Sequence, residues 1–277
     1  MSAIRRLGLV APPKGFVSSH PPLLDAESPV ELLTWNEITD IAKGGKFDGR
    51  QRYAGLSVDT QKHNNCAGDS AAQIVRKSIY DLTGKDYDLS PTYTYSLINS
   101  GRDNGSMLAD AMLAIERKGV CLRDTCGPDD IYRERYDTAK ADREAQRFKV
   151  LECYAIRERD LAGEELQRAF WTALCLGFKV GVAVQVGSRF DSLSSEGIAG
   201  VDRGSGNHAV HSFGITYAAG KLAAVSENTW GKNWGHSGRM LLTWDHFVQT
   251  IGVHSFYAAR TAAEDPMNAD RPPEVRA

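Results

Sequence analysis

The sequence predicts an α+β chain of two lobes, a helical lobe carrying a candidate nucleophile and a β-rich, barrel-like lobe carrying that residue's candidate partners. Three observations lead there. From Cys66 onward, small or apolar residues at 67, 71, 74, 75, 79 and 82 follow the 3.6-residue period of a helix, which Gly84 ends. In the second half Val180, Val182, Val184 and Val186 alternate as in a half-buried strand. The residues able to do chemistry divide the same way, with Cys66 opening the helical half and His208 and Asn228 lying among the strands. A chain of 277 residues can build one large domain, or two small lobes sharing a cleft, around a substantial core.

Residues 1–50 read as an N-terminal extended arm, because Pro12, Pro13, Pro21 and Pro22 occur without any apolar period. A short helix is possible over residues 29–41, and Gly44, Gly45 and Gly49 then mark a loop. The main domain spans 51–262, with the helical lobe over 51–150 and the β-rich lobe over 151–262. After the helix at Cys66, a second is expected over residues 107–118. Leu108, Ala111, Met112 and Ile115 form its inner face and Gly119 its stop. Residues 127–146 are strongly charged and fit a solvated helix or loop. A third helix over 163–176 ends at Gly177. Strands are expected at 180–186, 209–217, 222–227, 239–244 and 253–259, with Ala219-Gly220-Lys221 as a hairpin turn. Residues 263–277, with Pro266, Pro272 and Pro273, read as a tail.

Composition narrows the partners. A formal net charge of -2 gives no reason to expect nucleic acid or an anionic membrane. Leu7 to Val10 is too short an apolar run for a signal peptide, and no later run reaches the roughly 18 residues of a membrane helix. The expectation is a soluble protein, cytoplasmic or virion-associated. Five cysteines, at 66, 121, 126, 153 and 175, show neither a CxxC pair nor zinc spacing, so no metal and no organic cofactor is expected. Cys121 and Cys126 are close enough in sequence to pair.

A thiol attacks a carbonyl only as thiolate, and a cysteine at a helix N-terminus meets unpaired N–H groups and the positive end of the dipole. An imidazolium from His208 would stabilise that thiolate and then protonate a leaving amine. Taken singly these residues say little: a lone cysteine is usually a small buried hydrophobe, and tryptophans in a Gly-rich hairpin usually pack. His211 is a nearby decoy, but it starts from the wrong strand parity to share the His208 side.

Together the stretches Asn65-Cys66-Ala67-Gly68-Asp69-Ser70-Ala71, Gly206-Asn207-His208-Ala209-Val210 and Asn228-Thr229-Trp230-Gly231-Lys232-Asn233-Trp234-Gly235 are similar to the motifs of papain-like cysteine peptidases. The chain most resembles the compact bacterial and phage-type members. Leu89-Ser90-Pro91 with Tyr93 and Tyr95, and Asn104-Gly105-Ser106, add weaker matches. The resemblance implies a papain-like two-lobed fold and hydrolysis of peptide bonds through an acyl-thioester. It implies Cys66 as nucleophile, His208 as general base and acid, Asn228 as orienter and Trp230 as shield. Gln61 becomes the oxyanion donor, and Gly105 and Asn207 the cleft rim.

Departures accompany it. Gln61 lies five residues before Cys66 where the family has six, leaving Asn64 or Asn65 as other donors or as helix caps. Ala67 replaces an aromatic residue, and Asp69 brings a charge into the first turn. His63 stands where relatives working outside the cell place a disulfide cysteine, which points to a reducing compartment. The expected partner is a peptide or protein substrate. Two other expectations stand beside peptidase activity. One is an inactive scaffold, anchored through residues 1–30 in an assembly such as a virion; the other is a cell-wall peptide hydrolase or transamidase using the same triad.

Overall fold

The computed structural model describes residues 6–24, 30–157 and 161–260. The tail expected at 263–277 and residue 29 of the possible first helix lie outside them. Helix α1 is Trp35–Gly44, several residues later than expected. Its start is set by a capping box in which the Thr34 side chain accepts from the Glu37 N–H and Glu37 accepts from the Thr34 N–H.

The helical lobe is built on α2, Cys66–Thr83, with α3, Pro91–Ile98, and α4, Leu108–Arg117, against it. Helix α3 starts at Leu89-Ser90-Pro91: Ser90 caps it by accepting from the Tyr93 N–H, and Pro91 takes the first turn, where no N–H is needed. The charged stretch at 127–146 contains α5, Thr138–Ala145, whose Ala141 and Ala145 are buried against Tyr93 and Cys121. Helix α6 is Gly163–Cys175.

Six strands form one antiparallel sheet. They are β1, Cys153–Ile156; β2, Lys179–Val184; β3, His208–Ala218; β4, Lys221–Glu227; β5, Arg239–Thr243; and β6, Phe256–Ala259, in the order β1-β6-β2-β3-β4-β5. Strand β2 departs from the half-buried pattern, since all six of its residues are buried. It lies between β6 and β3 with helices on both faces. Val180, Val182 and Val184 pack into the core built on Phe170, Trp171, Phe247 and Phe256. On the other face Gly181 meets Ile74, Leu108 and Met112, and Ala209 of β3 joins that second core. Small residues there let α2 approach the sheet closely, bringing the Cys66 end of the helix to the His208 end of β3.

A buried charge cluster ties the same two elements lower down. Lys77 Nζ on α2 is 2.7 Å from Glu227 Oε1, and Arg239 Nε is 3.0 Å from Glu227 Oε2. Burial pulls the Lys77 ammonium below its ordinary range, and the Glu227 carboxylate opposes that fall. His211 faces this cluster, 3.8 Å from Glu227, on the opposite face of β3 from His208, as its parity requires. The five cysteines are free thiols, Cys121 and Cys126 included. Among the described residues no helix is long and apolar enough to cross a membrane.

Candidate active site

Cys66 opens α2, so its own N–H has no acceptor within the helix. The backbone N–H groups of Ala209, Gly8 and Ala67 lie where they favour the thiolate form of Cys66. Ala209 follows His208 on β3, which pairs with β2 at Val184. His208 Nε2 is 2.8 Å from Asn228 Oδ1, and the same oxygen accepts from the Thr229 N–H at 2.8 Å. That second bond fixes which way the Asn228 amide faces. An oxygen that only accepts requires the proton on His208 Nε2, leaving Nδ1 as the basic nitrogen. Trp230 stacks on the imidazole with ring centroids 4.9 Å apart and planes at 22°, and Phe190 and Trp234 back it.

Cys66 and His208 are both fully buried and neutral in this state. Burial pushes the Cys66 thiol up to about 11, against the three N–H groups that favour thiolate. Burial also lowers His208 to about 4, and the Asn228 bond opposes that fall. His208 Nδ1 has no hydrogen-bond partner, so thiol and imidazole are not hydrogen-bonded to each other here. Asp69, read from the sequence as a charge in the first turn, is completely buried. Burial, then the neighbouring Asp59, holds its carboxyl well above the usual range, and what charge it carries adds to the burial that raises the Cys66 thiol.

The N-terminal arm explains the burial. Residues 6–10 run through the cleft as an extended segment with one bridge, Leu9 to Ser106. Gly8 C=O accepts from the Ser106 N–H at 2.8 Å, Val10 N–H donates to Ser106 C=O at 3.0 Å, and Leu9 N–H reaches Asn207 C=O at 3.4 Å. Gly8 fits because it has no side chain: a Cβ there would sit 1.9 Å from Asn64 O. Across the passage Gly105, at φ +88°, would place a Cβ 2.1 Å from Gly8 O. What the arm turns towards the sulfur is an N–H, a group a thiolate cannot attack. Farther on, Leu23 N–H donates to Ala155 C=O and Ala155 N–H to Pro21 C=O, which fastens the arm to the edge strand β1.

Gln61 enters the cleft despite the shorter approach. Thr229 Oγ1 donates to its Oε1, and its Nε2 donates at 3.0 Å to Arg6 C=O of the arm. Its side-chain amide therefore already binds a peptide carbonyl in the cleft. Asn64 does not serve as that donor: its Nδ2 donates to Asp103 C=O at 2.7 Å. Asn65 occupies the N-cap position but makes no side-chain cap bond. Gly105 and Asn207 both line the passage, Asn207 through its C=O while its side chain is pinned to Val186. Sequence reasoning missed Gly8, Ser106, Thr229, Tyr95 and Asp103 as parts of the site. Thr229 and Ser106 stood inside quoted motifs and could have been found there; Asp103 had no local signal.

Acid should weaken this closed state. His208 titrates near its unperturbed 6.5 when unfolded and at about 4 when folded, so the unfolded chain binds more protons between those values. Stability is therefore lost as pH falls from 6.5 towards 4. His211, His246 and His254 shift the same way, so the test is a difference. The melting temperature of the unaltered chain should drop further over this interval than that of His208→Gln. Equal drops would contradict the assignment.

The family model for papain family cysteine protease matches residues 45–258. No curated protein matches the sequence. Among solved structures, the proform of the Amb a 11 cysteine protease, a ragweed pollen allergen, aligns with a TM-score of 0.59 at 19% identity. That alignment covers 78% of this chain and 65% of the allergen chain, so the chain spans somewhat less than two thirds of it. Xylellain, a cysteine protease from Xylella fastidiosa, aligns with a TM-score of 0.59 at 16% identity over 93% of this chain and 98% of its own. The bromelain protease from Ananas comosus, in complex with the E64 inhibitor, aligns at 0.57 and 18% identity over 77% of this chain and 97% of its own. At such identities the likeness is one of fold.

Proposed function

The chain belongs to the papain family of cysteine proteases, and from that premise we propose that it cleaves peptide bonds with Cys66, His208 and Asn228, in a cleft that residues 6–10 hold closed in this state. The observation that carries this reading is how the cleft treats the arm. It binds an extended backbone through its peptide groups, at Ser106, Asn207 and Gln61, directly over the thiol.

With the arm withdrawn, water reaches the site and the cost of charging both groups falls. The Cys66 proton passes to His208 Nδ1, giving thiolate and imidazolium. The sulfur adds to the substrate carbonyl carbon, and the oxyanion is met by the Cys66 N–H and Gln61 Nε2. As the tetrahedral centre collapses, the C–N bond breaks and Nδ1–H protonates the leaving amine. Water then gives a proton to Nδ1, attacks the thioester and releases the acid, and the sulfur departs as thiolate. Asn228 keeps the ring in register throughout, and Trp230 keeps water off their hydrogen bond. Transamidation or hydrolysis of a cell-wall peptide would share the thioester and differ in the acyl acceptor or substrate.

An epoxysuccinyl probe for papain-type thiols, with sites mapped by mass spectrometry, tests the assignment. Cys66 should be the residue modified, and His208→Ala should lose the modification. A Cys66 that stays unmodified even when the arm is unseated would instead favour an inactive scaffold, with the arm serving an assembly.

A further inference from the structure

Resting on the reading of Cys66 as nucleophile, we infer that Asp103 is a positioning residue that sets the width of the passage in front of the thiol. The passage has two walls. One is the approach segment 63–65, which leads into α2; the other is the rim at Gly105 and Ser106. Gly8 fills the space between them so closely that neither it nor Gly105 has room for a Cβ.

Both walls end on the Asp103 carboxylate. Its Oδ1 accepts from the Asn64 N–H at 2.8 Å and from the Tyr95 O–H at 3.0 Å. The Tyr95 oxygen in turn accepts from the Gly105 N–H at 3.0 Å. Its Oδ2 lies 3.2 Å from His63 Nδ1, and its backbone C=O accepts from Asn64 Nδ2 at 2.7 Å. The ring of Tyr95 is wholly buried on α3, which packs on α2, so the relay is anchored to the nucleophile's own helix.

A carboxylate suits the junction because it only accepts, and every group facing it can donate. His63 lies beside this carboxylate at the position where the resemblance suggested a bridged cysteine, and a second carboxylate, Asp129, lies 3.8 Å from its Nε2. Among the described residues the hydrogen bonds of Asp103 go to His63, Asn64 and Tyr95, not to the thiol or the arm. It acts through Asn64 and Gly105, whose spacing decides how a backbone sits over the sulfur.

The test is the rate of Cys66 modification by the epoxysuccinyl probe in the full chain, resolved into the maximal rate and the half-saturating concentration. At saturating probe the arm is already displaced, so the maximal rate reports the geometry of thiol and walls. Asp103→Ala should lower the maximal rate about ten-fold, and Asp103→Asn, which keeps the acceptor towards Asn64 and Tyr95, should restore most of it. Tyr95→Phe keeps the buried ring but cuts the relay to Gly105 and should cost about three-fold, which keeps the inference testable if the alanine variant does not fold. A maximal rate unchanged in Asp103→Ala or Tyr95→Phe, with only the melting temperature or half-saturation altered, would overturn it. No modification of Cys66 in the unaltered chain at saturating probe would overturn the nucleophile reading first, and this inference with it.

Discussion

Replacing Cys66 by alanine is expected to reduce peptide hydrolysis by at least about a thousand-fold, because no other group can form the thioester. Cys121 and Cys126 are buried beside Tyr93, Cys153 lies on the edge strand β1 and Cys175 ends α6, and none of them opens α2 beside β3. The fold should barely register the change. Alanine is the best helix former, the position is the first residue of α2, and the lost sulfur leaves neighbours as small as Ala67 in place. Turnover of a peptide substrate and thermal melts of both proteins check the two halves of this expectation. Hydrolysis that survives in the alanine variant would sink the assignment of Cys66, whatever the melts show.

Unseating the arm should act in the opposite direction. Gly8→Val puts a branched side chain where even a Cβ would lie 1.9 Å from Asn64 O. Overpacking of this kind costs about 1–3 kcal/mol, and about 1.4 kcal/mol is a factor of ten in an equilibrium. If the cost falls on the seated arm alone, the open fraction rises about ten- to a hundred-fold, and modification of Cys66 at low probe concentration rises with it. Val17→Ala, in an exposed part of the same arm, is the control and should change nothing. A free peptide of residues 6–12 should slow the Gly8→Val protein again by refilling the cleft. Identical modification rates in Gly8→Val and the unaltered chain would mean that the arm does not gate the thiol.

The arm is also where reading the chain fell shortest. Its prolines suggested an extended segment, and residues 6–10 pair with Ser106 through backbone groups alone. Nothing in those residues says against what they are extended, because a strand made of backbone hydrogen bonds leaves little trace in side-chain pattern. Strand β2 shows a related limit. The valine alternation located it, yet the intervening Gly181 and Ala183 face a helix rather than solvent. Small residues look the same in a sequence whether they face a close neighbour or open water. Gln61 was displaced by one position from its expected place, and a bond from Thr229 brings its amide back into the cleft.

What the sequence determined by itself was local or ordered along the chain: the start of α2 at Cys66, its stop at Gly84, the hairpin at Gly220, and the order of Cys66, His208 and Asn228. Such features are written in periodicity, caps and turn residues, whose physics acts over a few neighbours. Tertiary structure alone decided the proton on His208 Nε2, the neutrality of Cys66 and His208, the burial of Asp69, the seat of Gly8 and the junction at Asp103. Each of these depends on burial or on a hydrogen bond between segments far apart in the chain. Desolvation and directional bonding are set by whatever the fold brings within a few ångströms, and no local pattern carries that information.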